Sequence, residues 1–254
     1  VFMVTILIRY LWRFKLKRFL KRMAAKSSAM SFNFNTEISV IAEDMLELEL
    51  HDFHSNKSKF YWHLAEHLLQ SQNDIEVIAS EEVISIRSKV IPMDIKKIEA
   101  TLSSFEFSLI SQIDQKLEIP ICYEEVFASD LKEISKQLNL TTQEIIDIHS
   151  SAAYEVKAIG FTPGFSYLGD LDEKIAVPRL SKPRVKTKAG SVAIANDRTG
   201  IYCLGGPGGW PIIGATPMNL FNPDDDGSVT LIPGTKVTFK KISMEEFKIV
   251  QNRN

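Results

Sequence analysis

Apolar and polar residues alternate along several stretches of the first half of this chain. MLELEL (45–50) and EVISIRS (82–88) alternate with a period of two, as half-buried strands do, and IEVIA (75–79) is a further short strand. Apolar positions recur at helical spacing in 57–71 and again in 93–105. Two strand pairs that are each followed by a helix predict a small α+β sandwich.

The pattern changes in the second half, where two short helices precede a series of short apolar segments. Ser129 is the predicted cap of a helix over 129–139, and Thr141–Glu144 is a TxxE capping box that opens the next helix, just as Asp94 caps an earlier one. From Tyr154 onward, Gly and Pro separate segments that predict a β-barrel or β-sandwich. The segments are YEVKAIGF, SVAIA, GIYCL, WPIIG, MNLF, VTLI and KVTFKKI.

Glycine and proline are concentrated in this second half. All twelve glycines lie between Gly160 and Gly234, and eight of the ten prolines lie in the same stretch. Glycine allows a positive φ or a close approach and proline fixes φ, so the backbone path here is tightly specified. We therefore expect shape-dependent chemistry in this part of the chain.

Charge is divided unevenly along the chain. Residues 1–36 carry eight bases and no acid, whereas the remaining residues carry 22 bases and 32 acids. Because nucleic-acid binding depends on clustered positive charge, this acidic body predicts no nucleic-acid partner.

The basic run at the N-terminus, residues 1–32, is predicted to be an extension outside the folded body. Its apolar start is interrupted by Arg9 and is shorter than the roughly 20 apolar residues of a spanning helix. Three interpretations stay open: an upstream translated extension with the true start at Met23 or Met30, a helix on an anionic membrane surface formed by residues 1–22, or a targeting peptide.

The cysteines and histidines give weak signals. Cys122 and Cys203 lack CxxC or zinc spacing, so two buried thiols in a reducing cytoplasm are expected, with a disulfide or a reactive thiol as alternatives. HLAEH (63–67) matches the HxxEH zinc motif but is also part of an ordinary amphipathic helix. We predict solvated histidines there and no metal site.

Charged and aromatic side chains collect in the glycine-rich segment and just before it. Arg179 and Arg184 lie next to prolines and suit carboxylate or phosphate recognition, although a solvated loop is equally consistent. GGPGGW (205–210) offers backbone N–H groups to an anion or is a tight structural loop. His149 is the best-placed acid or base, with a structural histidine as the alternative. Aromatic residues that line a pocket or pack in a core are Phe161, Phe165, Tyr167, Tyr202 and Trp210.

A specific set of motifs occurs in this order along the chain. GFxPGFxYL is followed by PR…PR, AGSV and PGGW, within the segments IPICY (119–123), SDL (129–131), IHSSAAYEVKAIGFTPGFSYLGDLD (148–172), PRLSKPR (178–184), AGSVAIA (189–195), TGIYCLGGPGGWPIIGATP (199–217) and LFNP (220–223). The chain thereby resembles the family of the 5-oxoprolinase B subunit, from about residue 33 to 245. That family includes the histidine-kinase inhibitor KipI, allophanate hydrolase subunit 1 and part of the carboxyltransferase domain of urea carboxylase.

The resemblance implies an α+β domain over 33–118, a cyclophilin-like β-barrel over 119–245 and a tail over 246–254. It implies a cytoplasmic protein that takes part in the ATP-dependent opening of 5-oxo-L-proline to L-glutamate. Activity would require two partners, which resemble the C and A components of 5-oxoprolinase. ATP, accompanied by magnesium, would bind in this chain, in a partner or at the seam between them.

The implied mechanism makes His149, Arg179 and Arg184 catalytic. The two arginines would neutralise phosphoryl charge and His149 would manage a proton. The implied substrate-binding residues wall the pocket or supply backbone N–H groups: Phe161, Pro163, Gly164, Phe165, Tyr167, Gly190, Ser191, Tyr202, Gly208, Gly209, Trp210 and Thr216.

Three positions depart from the family pattern. The family usually has GRTP where this chain has GATP (214–217), Pro at Cys203, and GD where this chain has Gly234 and Thr235. The missing arginine, at Ala215, removes a possible anion ligand. Two other functions share the motifs: a KipI-like inhibitor of a sensor histidine kinase, and a component of the allophanate hydrolase or urea carboxylase type. The motifs do not separate these alternatives, because function lies in the site rather than in the fold.

Overall fold

The computed structural model describes residues 36–51, 57–105, 115–222 and 228–252. The predicted basic extension and its membrane-surface alternative lie outside these described residues. The chain divides into two compact units, each with its own main sheet. Within the described ranges, no helix is long and apolar enough to cross a membrane.

The described residues before position 106 form four strands and two helices: β1 (Thr36–Ala42), β2 (Met45–Leu50), α1 (Lys57–Ser71), β3 (Ile75–Ala79), β4 (Val83–Ser88) and α2 (Ile95–Ser103). The strands make one sheet in the order β1-β2-β4-β3. Leu48 lies opposite Ile84 and Leu46 opposite Ile86, and all four side chains are buried. Such cross-strand apolar pairs stabilise a sheet. They are formed by the apolar positions of the alternating pattern that predicted β2 and β4.

The described residues from position 115 onward form eleven strands, three α-helices and a short 3₁₀ turn at Glu173–Ile175. In chain order these elements are β5 (Lys116–Ile121), α3 (Leu131–Leu138), α4 (Thr142–Ser151), β6 (Ala153–Ile159), β7 (Ser166–Gly169), β8 (Arg184–Thr187), β9 (Ser191–Ala195), β10 (Arg198–Tyr202), β11 (Gly206–Gly208), β12 (Ile212–Ala215), β13 (Phe221–Asn222), β14 (Ser228–Val229), β15 (Lys236–Lys241) and α5 (Met244–Gln251).

Seven of these strands form a nearly closed sheet in the order β12-β9-β10-β7-β6-β15-β5. Neighbouring strands are antiparallel except β15 and β5, which run parallel. The two edges meet just beyond β5, where Cys122 and Ala215 exchange backbone N–H···O bonds of 2.9 and 3.0 Å. This bridge makes the sheet barrel-like and protects its edges from pairing with another chain.

The barrel core is made by alternate positions along its strands. Ile119 and Ile121 of β5, Val192 and Ile194 of β9, and Ile201 of β10 are fully buried in one cluster. Residues two apart on a strand lie on the same face, so one face of each of these three strands packs into this cluster, with β-branched side chains at these positions.

Two of the three predicted helix caps are confirmed. Asp94 accepts a hydrogen bond from the N–H of Lys97, and Thr141 with Glu144 forms a complete capping box at the start of α4. The same box, formed by Ser243 and Glu246, opens α5, an element that the sequence pattern did not predict.

The predicted cap at Ser129 is wrong. The N-cap of α3 is Asp130, whose side chain makes no capping bond, and the Ser129 hydroxyl only approaches the Asp130 carboxylate at 3.4 Å. The carboxylate of Asp130 instead accepts hydrogen bonds from Arg184 and from the backbone N–H of Ile212.

Both cysteines are free and buried, as predicted, so the disulfide alternative is wrong. The Cys203 thiol donates to the carbonyl oxygen of Gly164 at 2.8 Å. Burial raises the pKa of Cys203 to about 12, so this thiol stays protonated and lacks the thiolate character of a reactive cysteine.

The histidines of the HxxEH segment have local partners. His63 Nδ1 lies 3.2 Å from Glu66 Oε2, and His67 Nε2 lies 3.2 Å from the carbonyl oxygen of Thr101 and 3.1 Å from Ser104 Oγ. Among the residues that the structure describes, no group of three or more His, Cys, Asp or Glu side chains is placed to hold a metal ion.

Candidate functional site

Phe165 is the centre of an aromatic cluster at the barrel. Its ring meets Tyr167, Tyr202 and Trp210 edge-on, with centroids at 4.8, 4.9 and 5.5 Å. The three rings of Phe165, Tyr202 and Trp210 are buried, and they pack on the small side chains of β9. Edge-to-face contacts of this kind hold aromatic rings in fixed orientations.

The GFTPGF loop (160–165) adds an exposed ring to this cluster. Phe161 has a φ of +67° and is 61% exposed, while its ring meets Phe165 at 5.7 Å and Tyr202 at 6.4 Å. Left-handed backbone is unfavourable for a bulky residue and is a feature of functional loops. Pro163 is exposed beside it and Gly164 is buried, so the loop presents one aromatic and one proline to the outside.

Arg179 lies over the aromatic cluster. Its guanidinium carbon is 5.9 Å from the centroid of Trp210, within the range of a cation–π contact. The N–H of Leu180 donates to the carbonyl oxygen of Gly209 at 2.8 Å, which ties the PR loop to the PGGW loop. Among the described residues, no carboxylate forms an ion pair with the exposed Arg179 side chain.

Arg184 is held differently, by an ion pair with Asp130. Arg184 Nη2 donates to Asp130 Oδ1, and Asp130 Oδ2 accepts the N–H of Ile212 at 2.6 Å. The backbone N–H of Asp130 donates in turn to the carbonyl oxygen of Ile212 at 3.0 Å. One carboxylate therefore joins the start of α3, the strand β8 and the strand β12.

The pairing of β8 with β11 brings the PR and PGGW motifs side by side. Gly208 lies opposite Arg184, and the Oη atom of Tyr202 comes 2.8 Å from the position that a Cβ on Gly208 would take. Tyr202 Oη also accepts the N–H of Trp210 at 3.4 Å. Burial raises the pKa of Tyr202, and the bond from Trp210 and the charges of Arg184 and Arg179 oppose part of that rise.

Gly190, Ser191 and Thr216 form part of the scaffold rather than the cluster surface. The N–H of Gly190 donates to the carbonyl oxygen of Tyr202 at 2.7 Å, and the N–H of Thr216 donates to that of Gly190 at 2.9 Å. Gly190 has a φ of +80°, and a Cβ there would lie 2.4 Å from the carbonyl oxygen of Thr216. Only glycine satisfies both demands.

His149 is fully buried in the barrel core. Its Nδ1 lies 2.8 Å from the Tyr123 hydroxyl and its Nε2 lies 2.9 Å from Thr199 Oγ1. Thr199 donates its hydroxyl proton to the carbonyl oxygen of Ala193, so it accepts from Nε2–H, and Nδ1 accepts from Tyr123. Burial lowers the pKa of His149 to about 3. A neutral imidazole with both nitrogens occupied is suited to a structural role, and its catalytic role stays a prediction.

Ala215 lies in a separate apolar cluster. Its side chain packs with Cys122, Ile242 and Phe247 and is 7% exposed, and Phe127 stacks on Phe247 at 4.3 Å. The position where the family usually has arginine is thus not part of the aromatic cluster in this chain. Ala215 pairs with Ser191 on β9, and Ser191 pairs with Tyr202 on its other side, so position 215 lies two strands from Tyr202 in the sheet.

Asp130 is the residue of this region to which sequence reasoning gave no role. It lies in the SDL segment, but its partners are 54 and 82 residues away along the chain. An Asp at the start of a helix looks like a cap in sequence, and no local pattern reveals the long-range pair.

The fold and the motif loops define a carboxyltransferase-type protein with a cyclophilin-like barrel, which confirms the predicted α+β fold class. A family model described as "Carboxyltransferase domain, subdomain C and D" matches residues 36–231. The chain belongs to this family.

Curated relatives give the more particular resemblance. The chain is 44% identical over 131 residues to the 5-oxoprolinase B subunit of Bacillus subtilis (strain 168), a match that covers 52% of this chain and 55% of that protein. It is 35% identical over 185 residues to the 5-oxoprolinase B subunit of Escherichia coli O157:H7, covering 71% of this chain and 84% of that protein. The chain thus spans about half the length of the first relative and most of the second.

Solved structures share the architecture. TTHA0988 matches with a TM-score of 0.66 and 26% identity, over 78% of this chain and 40% of that one. The urea carboxylase of Kluyveromyces lactis matches with a TM-score of 0.62 and 16% identity, over 86% of this chain and 23% of that one. At that identity the second likeness concerns the fold alone.

Proposed function

We propose that this chain is one component of an ATP-dependent 5-oxoprolinase complex that opens 5-oxo-L-proline to L-glutamate. The match to the B subunit from Escherichia coli, over 84% of that protein, supports the proposal. The observation that carries it is the position of Arg179, a cation without a carboxylate partner among the described residues, stacked over Trp210 at the edge of the aromatic cluster.

A cation in this place suits the chemistry of a lactam. The amide of a five-membered lactam is a stable bond, so its carbonyl must be activated before water can open it. When bound, ATP supplies the phosphoryl group for that activation. The side chain of Arg179 neutralises the negative charge that develops, and it does so without first breaking an ion pair.

The aromatic cluster orients the substrate and excludes water. Phe161 is exposed and in contact with Phe165 and Tyr202, so it supplies the apolar wall that a small ring can reach. The backbone N–H groups of Gly190 and Ser191 already donate to Tyr202 and Lys188. They position the strands, and Gly209 at the base of the PGGW loop holds the loop of Arg179 through Leu180.

The exposed cations of the PR loop suit phosphate but not magnesium. Arg179, Lys182, Lys186 and Lys188 are exposed along one segment, and their charges match the phosphates of a nucleotide. The described residues place no cluster of three carboxylate or histidine ligands for a cation. We assign contacts with the phosphates to this chain, and the magnesium ligands to the nucleotide and to the C-like and A-like partners.

Reconstitution tests the proposal directly. The full chain is co-expressed with candidate C-like and A-like partners, and ADP and glutamate are measured with and without 5-oxo-L-proline. We expect ATP hydrolysis that depends on 5-oxo-L-proline and yields glutamate. Arg179→Ala should lower kcat about 100-fold, because it removes a charge that stabilises the transition state.

Lys174→Ala is the matched control, since it removes an exposed cation five residues before Arg179, outside the set assigned to the phosphates. Its effect should stay within a few-fold. An assembled complex whose ATP turnover ignores 5-oxo-L-proline would reject the function, and equal losses in the two variants would reject the specific role of Arg179.

A further inference from the structure

Two buried hydrogen-bond donors lack acceptors near the PR and PGGW loops. Tyr202 is 2% exposed, and its hydroxyl oxygen accepts from Trp210, which leaves the hydroxyl proton without an acceptor among the described residues. Arg184 Nη1 is buried and has no hydrogen-bond partner in the described part of the chain. A buried donor without an acceptor is destabilising, so two of them in one region call for a reason.

The two donors belong to the same small region. Gly208 is the cross-strand neighbour of Arg184, and Tyr202 Oη lies 2.8 Å from the point where a Cβ of Gly208 would stand. The absence of a side chain at 208 leaves this space to the phenol. The Arg184 side chain as a whole is 29% exposed while its Nη1 atom is buried, so a ligand would reach the two donors along the exposed part of this side chain.

The charge around these donors is positive. Arg184 and Arg179 are both near enough to act on the titration of Tyr202. Asp130 pairs with the Nη2 side of Arg184, and Arg179 has no carboxylate partner among the described residues. The positive charge of Arg179 is therefore not neutralised by a described carboxylate, and it lies near the N–H of Arg184 Nη1 and the O–H of Tyr202. Such an arrangement of charge and donors binds an oxyanion.

We propose that Tyr202 O–H and Arg184 Nη1 form a subsite for the carboxylate of the substrate, with Asp130 as the positioning residue of Arg184. The identity of the ligand, 5-oxo-L-proline, rests on the proposed function. The carboxylate accepts one hydrogen bond from each donor. Arg184 then binds substrate, while the phosphoryl charge is left to Arg179.

The donor count favours a carboxylate over a nucleotide phosphate. Nη2 of Arg184 already donates to Asp130, so the donors left for a ligand are Nη1 of Arg184 and the hydroxyl group of Tyr202. Two donors match the two oxygens of a carboxylate. A polyphosphate would bring several negative charges next to the carboxylate of Asp130, which opposes its binding here.

Asp130 acts on the ligand only through Arg184. It fixes the guanidinium from one side and is itself fixed by both backbone groups of Ile212. Asp130→Asn keeps an oxygen for the N–H of Ile212 but presents an uncharged amide to Arg184. We expect it to weaken carboxylate binding by releasing Arg184 while the backbone pairing with Ile212 persists.

Calorimetry on the full chain and on the assembled complex, without ATP, tests the subsite. The ligands are 5-oxo-L-proline, 2-pyrrolidinone, which is the same lactam without the carboxylate, and inorganic phosphate. We expect 5-oxo-L-proline to bind at least 10-fold more tightly than 2-pyrrolidinone. Tyr202→Phe and Arg184→Met should each weaken 5-oxo-L-proline 10- to 100-fold and leave 2-pyrrolidinone unchanged, as expected for hydrogen bonds to a charged group.

Tyr61→Phe is the control, because it removes a buried phenol hydroxyl that bonds Glu82 at a different place. It should not change the affinity for either ligand. In the complex, Tyr202→Phe and Asp130→Asn should raise the KM for 5-oxo-L-proline about 10-fold with the KM for ATP unchanged, which a loss of folding alone would not do.

Several results would overturn the subsite. The first two are equal affinities for 5-oxo-L-proline and 2-pyrrolidinone, and no binding of 5-oxo-L-proline by the chain or the complex. The third is a Tyr202→Phe variant that binds 5-oxo-L-proline as tightly as the parent chain. The fourth is an affinity for inorganic phosphate that Tyr202→Phe lowers as much as it lowers the affinity for 5-oxo-L-proline. Failure of the proposed function looks different: the carboxylate preference persists while the complex forms no glutamate. A complex that forms glutamate with an unchanged KM in Tyr202→Phe keeps the function and removes the subsite.

Discussion

At the scale of single residues, Asp130 and His149 show how position decides the role of an ionisable group. Asp130 is at a helix start, and yet its carboxylate binds Arg184 and Ile212. His149 is fully buried, and its neighbours Tyr123 and Thr199 satisfy it as a neutral group. Their residue types were visible in the sequence, but their partners lie between 26 and 82 residues away along the chain.

The buried His149 predicts a loss of stability in mild acid. Its pKa is about 3 in the folded protein and about 6.5 in the unfolded chain, so the unfolded state binds the extra proton below pH 6.5. The contribution of His149 is complete above pH 6.5 and declines as the pH falls towards 3. At pH 5.5 the free energy of unfolding should be about 1.4 kcal/mol lower than at pH 7.5 on this account.

Denaturant unfolding at the two pH values checks this expectation. His149→Gln keeps an amide donor and an acceptor but does not titrate, so it isolates the contribution of the imidazole. The drop between pH 7.5 and 5.5 should be smaller in the variant by about 1.4 kcal/mol. The same drop in both proteins would show that other groups cause it.

At the scale of elements, the parts that a local pattern specifies were predicted well. The apolar spacing of 57–71 predicted α1, the alternation in 45–50 predicted β2, and the short apolar segment SVAIA predicted β9, each with the bounds that the structure has. The strands β8 and β11 were not predicted. Their sequences, RVKT and GPG, carry little alternation, and their stability comes from pairing across 19 or more residues.

The candidate site follows the same division. The residues of the aromatic cluster and Arg179 could be predicted from the sequence, because they lie within contiguous motifs. The pairing of Arg184 with Asp130 and the core position of His149 arise from tertiary contacts over 54 and 50 residues. No spacing rule connects such positions, so their geometry required the folded chain.

The contact of β11 with Tyr202 predicts the effect of a methyl group at position 208. In Gly208→Ala the new Cβ would lie 2.5 Å from Thr187 Cγ2 and 2.8 Å from Tyr202 Oη. Because Tyr202 is buried, its ring must shift, and overpacking of this kind costs about 1–3 kcal/mol. Chemical denaturation should show that loss of stability, together with weaker binding of 5-oxo-L-proline.

Gly209→Ala is the matched variant for the stability measurement. A Cβ at 209 would have Pro183 Cγ as its nearest neighbour, at 3.7 Å, which is ordinary contact. Its free energy of unfolding should stay close to that of the parent chain. A destabilisation equal to that of Gly208→Ala would mean that the loop, and not the space beside Tyr202, is sensitive.

At the scale of the whole molecule, the barrel depends on the bridge between Cys122 and Ala215. That bridge joins the two edge strands, and the side chains around it form their own apolar cluster with Phe247 of α5. The family arginine expected at 215 would therefore enter an apolar environment at the seam. Its absence bears on the closure of the barrel and leaves the aromatic cluster intact.

Restoring that arginine tests this conclusion. Ala215→Arg should destabilise the chain by about 1–3 kcal/mol, because a large charged group must displace packed apolar side chains at a position that is 7% exposed. It should not raise the activity of the complex. Ala215→Ser, which adds one oxygen atom, is the control for thermal unfolding. An arginine variant that is as stable as the serine variant and more active would restore the arginine as an anion ligand.

The parallel pairing of β5 with β15 has a kinetic consequence. Residues 116–121 find their ladder partners at 236–241, about 120 residues later, and β15 is also the link from β5 to β6. Contacts of such high sequence separation lose loop-closure entropy before their own interactions offset it, which makes folding slow. On the ribosome, the edge of β5 stays without its partner until residues 236–241 have been made. A nascent chain that stalls before residue 236 would expose that edge to chaperones or to aggregation.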